Sequence, residues 1–214
     1  MIVIACAAEP DPLRRVVDYV KQRGRTIRQY DLTGEGDPDL LTLEDVVRTR
    51  IIRSRISNEE RDWLVARAAE GQELWSVVAP DARLADADPA EVGLLYDRAL
   101  ALFKHFHDQR PSGLATGKIS KVLHLKRRGL FPILDSQLAD RYRRKAADCA
   151  RRHRADRPGL RLAYWIAIRG DLVDPTNVAG LWRLREDLAS HQDELVRRAA
   201  HLTDLRLLDI LTWR

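Results

Sequence analysis

Hydrophobic residues recur at every third or fourth position along most of the chain, which is the period of an amphipathic helix. This pattern predicts helices over residues 11–24, 43–54, 57–70, 89–107, 118–127, 135–153, 160–169, 177–200 and 203–212. Only residues 2–8 are apolar without that period, and they are typical of a buried strand. The predicted fold class is therefore mostly α, a helical bundle with a short N-terminal β element.

Local signals place several helix starts. Thr42 is a candidate N-cap for the helix over 43–54. The predicted inward residues of that helix are Leu43, Val46, Val47 and Ile51. Ser57 and Glu60 have the spacing of a capping box. Asp88 followed by Pro89 is typical of a cap and a first helical residue, and the helix that they open carries Val92 on its predicted core stripe.

The chain shows no internal repeat and no low-complexity tract, so we expect one domain over residues 1–214. Within it, residues 1–110 are predicted to form a helical scaffold and residues 111–157 a basic core. Residues 158–214 are predicted to be C-terminal helices that pack on that core.

Cysteine usage and hydropathy suggest a compartment. Cys6 and Cys149 are the only cysteines and lie far apart, which favours a reduced, cytoplasmic protein. No apolar run approaches the roughly 18 residues of a membrane span, so we expect no membrane as a partner.

Positive charge is concentrated in the middle of the chain. Residues 1–100 carry 14 basic and 19 acidic side chains, residues 101–160 carry 15 and 5, and residues 161–214 carry 8 of each. The net charge of +5 therefore arises between residues 101 and 160. A local excess of one sign is typical of a protein that binds an anion, nucleic acid first. The alternative is a solvated arginine-rich surface.

The sequence lacks the spacings of a metal or nucleotide site. Its histidines are scattered, and it has no CxxC, HExxH, P-loop, GxGxxG or GxSxG motif. We therefore expect no metal and no cofactor. The remaining candidate is residues 113–142, GLATGKISKVLHLKRRGLFPILDSQLADRY, in which a turn bounded by Gly113 and Gly117 precedes a basic helix and one carboxylate, Asp135.

This segment has the parts of a phosphate site. Backbone amides at a helix start favour phosphate because the helix dipole is positive there. Lys118 and Lys121 add positive charge beside the turn, whereas Asp135 is either the cap of the next helix or a functional carboxylate. The residues expected to contact DNA are Gly113, Ala115, Gly117, Lys126, Arg127, Arg128 and Arg141.

Residues 113–142 resemble the helix-hairpin-helix element of the DNA glycosylase superfamily. The parts follow in the same order: Gly113-Leu114-Ala115 at the hairpin, Lys118-Ile119-Ser120 entering the helix, the link 131–134, and Asp135. The stretch SKVLHLKRRGLFPILDSQL resembles more closely an uncharacterised actinobacterial-type family, DUF6308. The chain is also similar to that family at YDL (30–32), EDV (44–46), RSRIS (53–57) and DADP (86–89).

The glycosylase resemblance implies DNA as the partner and roles for three residues. Asp135 would support the loss of a modified base. Lys118, or Lys121 one turn later, would be the amine nucleophile of an enzyme that also cuts the backbone. The base would be flipped into a pocket, often against aromatic rings. Candidate aromatic residues are Tyr142, Trp165 and Trp182, for each of which core packing is the alternative role.

Two other functions stay open. Many helix-hairpin-helix segments bind DNA without catalysis, and Ala115 stands where the hairpin pattern has a second glycine. A helical protein that binds a protein partner is the other alternative. DNA binding at low salt separates the first of these from the second, because contacts with phosphate are strongly salt-dependent.

Overall fold

The structure is a computed structural model that describes residues 1–34, 36–153 and 163–213. Its two strands are β1 (Ile2–Ile4) and β2 (Ala7–Glu9). Its α-helices are α1 (Pro12–Thr26), α2 (Leu43–Arg48), α3 (Asn58–Glu70), α4 (Gln72–Ser76), α5 (Leu95–His107), α6 (Thr116–Lys126), α7 (Ser136–His153), α8 (Ala163–Leu172), α9 (Pro175–Ala189), α10 (Glu194–Ala199) and α11 (Asp204–Thr212). The mostly α fold class is confirmed.

The chain packs into two compact units. The first joins Met1–Gly24 to Asp135–Arg214, and the second is the continuous stretch Arg25–Leu134. The N-terminal hairpin and most of α1 thus belong with the C-terminal helices rather than with residues 25–134. These borders differ from the divisions predicted near residues 110 and 157, of which 157 lies outside the described residues. The single domain over 1–214 stays a prediction.

The first unit begins with a hairpin instead of the single strand predicted over 2–8. Ala5 and Cys6 form its two-residue turn, both with left-handed φ values of 49° and 69°. Such a turn matches the twist of paired strands, so β1 and β2 pair antiparallel with Ile4 opposite Ala7. β1 packs on α9 and α11. Asn177 of α9 holds the backbone of Val3, accepting from its amide at 2.6 Å and donating to its carbonyl at 2.7 Å.

In the second unit, two predicted caps are confirmed. Thr42 and Asp45 form a capping box that starts α2, and Ser57 and Glu60 form one that starts α3. α2 is shorter than predicted, because the chain tightens into a 3₁₀ turn over Thr49–Ile52. Val46 is buried as expected. The inward placement of Leu43 and Val47 is wrong, since they are 48% and 38% exposed.

The predicted helix over 89–107 begins six residues late. The carboxylate of Asp88 accepts from the Ala90 amide in a turn, and Gly93 has φ +78°, which a right-handed helix does not contain. α5 therefore starts at Leu95. Val92 lies before it and is 82% exposed, so its predicted place in the core stripe is wrong.

Predictions for the later helices hold in outline. α6 covers 116–126 and α7 covers 136–153, close to the predicted 118–127 and 135–153. The predicted break at Pro158-Gly159 lies outside the described residues. The helix predicted over 177–200 is two helices, because α9 ends at Ala189 and Asp193 caps α10 by accepting from two first-turn amides.

Candidate nucleic-acid interface

The turn between α5 and α6 forms an exposed hairpin. Gly113 has φ +93°, a left-handed conformation that favours glycine. The side chain of Leu114 is buried and anchors the turn, whereas Ser112, Gly113 and Ala115 are exposed. Residues 109–115 line an open depression of about 500 Å³. The hairpin therefore presents backbone, rather than side chains, to solvent.

The start of α6 has no side-chain cap. Ala115 occupies the N-cap position in extended conformation, and its methyl group has no atom that accepts a hydrogen bond. The Lys118 amide turns back to the Ala115 carbonyl at 2.9 Å. Within the described part of the chain, the Thr116 and Gly117 amides donate no hydrogen bond. In α3, by contrast, the Ser57 hydroxyl takes this place. Two free amides at the positive end of an 11-residue helix suit an anion.

Gly117 is required by close packing and not by its backbone angles. A Cβ at this position would lie 3.0 Å from the Leu134 carbonyl oxygen. The Ser120 hydroxyl donates to the Gly117 carbonyl at 3.1 Å and accepts from the Leu134 amide at 3.1 Å. α6 is thereby joined to the extended link 129–134.

Lys118 is held in an ion pair beneath the hairpin. Its Nζ donates to both carboxylate oxygens of Glu60, at 2.7 and 2.9 Å. Glu60 is buried and is the same residue that completes the capping box with Ser57. Burial alone would raise the pKa of Glu60, but the hydrogen bonds from Lys118 and the Ser57 amide outweigh it and hold that pKa below its ordinary range. The amine of Lys118 is thus already hydrogen-bonded to a carboxylate.

The next two lysines also make contacts inside the second unit. Lys121 is half-buried and its Nζ donates to the Ile52 carbonyl at 3.0 Å. The side chain of Lys126 is 2% exposed and lies 2.7 Å from the Asp45 carboxylate. Burial would raise the pKa of Asp45, but the hydrogen bond and charge of Lys126 lower it overall. A phosphate contact by Lys126 would require this buried pair to open.

Arg127 is completely buried. Its guanidinium lies over the ring of Trp75 and donates to groups of Val78, Trp75, Pro38 and Asp39. Arg128 is half-buried and donates to the carbonyls of Asp31 and Thr33. Together with Lys126, which donates to the Asp37 carbonyl, these residues hold the backbone of residues 31–33 and 37–38 in place. Lys126, Arg127 and Arg128, which were predicted to contact DNA, therefore stabilise the backbone of a loop instead.

Asp135 opens α7 in the first unit. Its Oδ1 accepts from the Leu138 amide at 3.0 Å, which is N-capping geometry. The side chain is half-buried, and among the described residues its carboxylate makes no other hydrogen bond. Arg141, one turn after Leu138, is also half-buried, with its Nε unpaired in the part of the chain that the structure describes. One carboxylate oxygen of Asp135 is thus available for another role.

The three candidate aromatic residues differ in exposure. Tyr142 and Trp165 are buried in the first unit, at 0% and 1% exposure, whereas Trp182 on α9 is 60% exposed. Burial raises the pKa of the Tyr142 hydroxyl well above its ordinary value, and the nearby negative charge of Asp171 adds to this effect.

A buried polar cluster in the first unit was missed by the sequence reasoning. Asp171 accepts from the Ala5 amide at 2.8 Å and pairs with Lys145. Arg206 and Asp209 of α11 form a second pair, and Arg206 also donates to the Tyr19 hydroxyl at 2.8 Å. Arg206 and Asp209 have the i,i+3 spacing of a helical ion pair, but no short-range pattern marks the cluster as a whole, because more than 160 positions separate Ala5 from Asp171 and Tyr19 from Arg206.

Comparison with known proteins identifies the family. A family model described as a family of unknown function (DUF6308) matches residues 11–214. The chain belongs to the DUF6308 family. This membership confirms the closer of the two resemblances, while the likeness to the helix-hairpin-helix glycosylases stays a prediction. Neither a curated protein nor a solved structure is significantly similar to this DUF6308 chain.

Metal ligation and membrane insertion are not indicated among the described residues. No group of three or more His, Cys, Asp or Glu side chains is arranged to hold a metal ion. Among the same residues, none of the helices has the length and apolar character needed to cross a membrane.

Proposed function

We propose that this protein binds the phosphate backbone of DNA at the hairpin 111–117 and the start of α6. The observation that carries the proposal is the pair of unpaired amides, those of Thr116 and Gly117, behind an exposed glycine turn. A phosphate oxygen accepts strongly from such amides and is favoured by the helix dipole. Ala115 leaves the position open, because a serine or aspartate there would itself accept from the Gly117 amide.

The geometry favours binding over lyase chemistry. A lysine that forms a Schiff base attacks as a free amine. Lys118 instead donates to both oxygens of a buried carboxylate, so its amine already makes an ion pair. Lys121 donates to a carbonyl. Neither amine is presented as a nucleophile, so cleavage of the DNA backbone is not part of the proposal.

Replacing Ala115 with Asp separates DNA binding from folding. The new carboxylate would cap α6 by accepting from the Gly117 amide and would repel a phosphate, so the variant should fold at least as well as the wild type. We expect its affinity for a short DNA duplex, measured by fluorescence anisotropy at low salt, to fall about tenfold or more. Thr176→Asp is the matched control, since it adds the same charge to the exposed first turn of α9.

Equal affinities of Ala115→Asp and wild type for DNA would contradict the hairpin site. If the wild type binds no DNA even at low salt, the proposal fails as a whole and a protein-binding role is favoured instead.

Base excision is a second candidate function, favoured by the free oxygen of Asp135. Only Oδ1 of that carboxylate accepts the capping hydrogen bond of α7. Oδ2 is therefore available to stabilise the positive charge that develops on a sugar as a base leaves. Asn caps a helix as well as Asp does, so Asp135→Asn should leave the fold intact. Incubation with duplexes that carry varied base lesions should release base with the wild type and not with this variant. No release by the folded wild type from any lesion would exclude excision on those substrates.

A further inference from the structure

Helix α7 exposes a dense set of arginines in the first unit. Residues 136–153 carry six basic and two acidic side chains. The buried face of the helix consists of Leu138, Tyr142, Ala146 and Cys149. Arg144 and Arg151 are exposed on the opposite face, and Arg143 and Arg152 are exposed on either side of it. The basic side chains of residues 118–128 make contacts inside the second unit, whereas the arginines of α7 are accessible to solvent.

The arginines are arranged along the helix. Arg144 and Arg151 are seven residues apart, which places them on one line of the surface about 10 Å apart along the helix axis. Arg144 makes no ion pair or hydrogen bond among the described residues. Arg143 and Arg151 pair with Asp140 and Asp148 one turn earlier. Pairs this exposed contribute little and are readily exchanged for another anion.

The chemistry of this face favours nucleic acid over a membrane. A helix that binds a lipid surface inserts an apolar face beside its basic one. The apolar face of α7 is already buried within the first unit. Two aligned arginines with only the small side chain of Ala147 exposed between them are suited instead to a linear array of phosphates, which they contact without reading sequence.

We infer that the arginine face of α7, defined by Arg144 and Arg151 with Arg143 and Arg152 on either side, is a second surface that contacts a nucleic-acid backbone. The inference rests on the proposed function and adds a contact surface to it. It predicts an affinity that depends on salt and little on sequence, because each contact with a phosphate releases counterions.

The test is the double variant Arg144→Gln/Arg151→Gln, measured with the same duplex as the wild type across a series of salt concentrations. We expect the affinity at low salt to fall about tenfold or more, and the slope of log affinity against log salt to decrease by about two, as for two lost phosphate contacts. Arg183→Gln/Arg198→Gln is the control. It removes two exposed arginines of the same unit that make no ion pair within the described ranges, and it should retain most of the affinity.

The outcomes separate this inference from the hairpin site. Affinity that falls in Ala115→Asp but not in the α7 variant overturns the inference and leaves the hairpin site standing. Affinity that falls in the α7 variant but not in Ala115→Asp supports the inference and overturns the hairpin site. If the α7 variant and its control lose the same amount of DNA affinity, the loss reflects net charge alone and the inference is overturned. The inference is also overturned if the wild type binds anionic vesicles and the α7 variant loses that binding while it keeps its DNA binding.

Discussion

Lys118 and Glu60 show how a single residue can suggest one role in sequence and take another in the structure. A lysine next to a hairpin is a candidate nucleophile by position. In the structure, its ammonium satisfies a buried carboxylate that also caps α3. Removing such a lysine leaves a buried charge with fewer partners, which costs more than the pair itself contributes. The main role of Lys118 is therefore to stabilise the second unit by pairing with Glu60.

This role predicts a pH-dependent stability. Lys118→Gln should lower the free energy of unfolding by about 1–3 kcal/mol at pH 7, because Glu60 keeps its charge and loses its partner. The pKa of Glu60 is lowered in the folded state, so the contribution of the pair is present above the ordinary value of about 4.5 and is lost as pH falls through the folded pKa.

Urea unfolding between pH 7 and pH 3 measures this effect. The difference between wild type and Lys118→Gln should narrow towards pH 3, while Lys104→Gln, which removes an exposed lysine of α5, should match the wild type throughout. A difference of constant size over this range would argue against the assigned pair.

At the scale of elements, the start of α6 differs from the starts of α2 and α3, which have the predicted capping side chains. α2 and α3 are capped by threonine and serine, while α6 begins at an alanine. Ala115→Asp should therefore raise the free energy of unfolding by about 0.5–2 kcal/mol as it lowers DNA affinity. Thermal or urea unfolding of the variant checks this. A loss of stability would mean that its weaker binding reports damage to the fold.

Element prediction succeeded where the signal is local. The capping boxes at Thr42 and Ser57 follow from a spacing of three residues, and both are present. The start at Asp88 failed because Gly93 takes a left-handed φ only five residues later, and an Asp-Pro pair is also compatible with a turn. The strand over 2–8 became a hairpin because Ala5 and Cys6, which carry no turn signature, adopt left-handed angles.

At the scale of the whole molecule, the limits of sequence reasoning are those of long-range contacts. Lys126, Arg127 and Arg128 were expected to contact DNA, whereas in the structure they contact acceptors that lie far away in sequence. Lys126 reaches Asp45, and Arg127 reaches Asp39, across more than 80 residues. Charge counts do not distinguish a cation that is paired inside a unit from one that is available to a ligand. The accessible arginines of α7 were recognisable only from helical periodicity.

The central claim is that the first-turn amides of α6 hold a phosphate, and their own NMR resonances test it most directly. When a short DNA duplex is added to ¹⁵N-labelled protein, the amides of Thr116 and Gly117 should show saturable shifts among the largest in the spectrum. The same resonances should be nearly unchanged in Ala115→Asp, whose carboxylate accepts from the Gly117 amide and repels a phosphate. DNA binding that shifts other amides and leaves Thr116 and Gly117 in place would contradict the account.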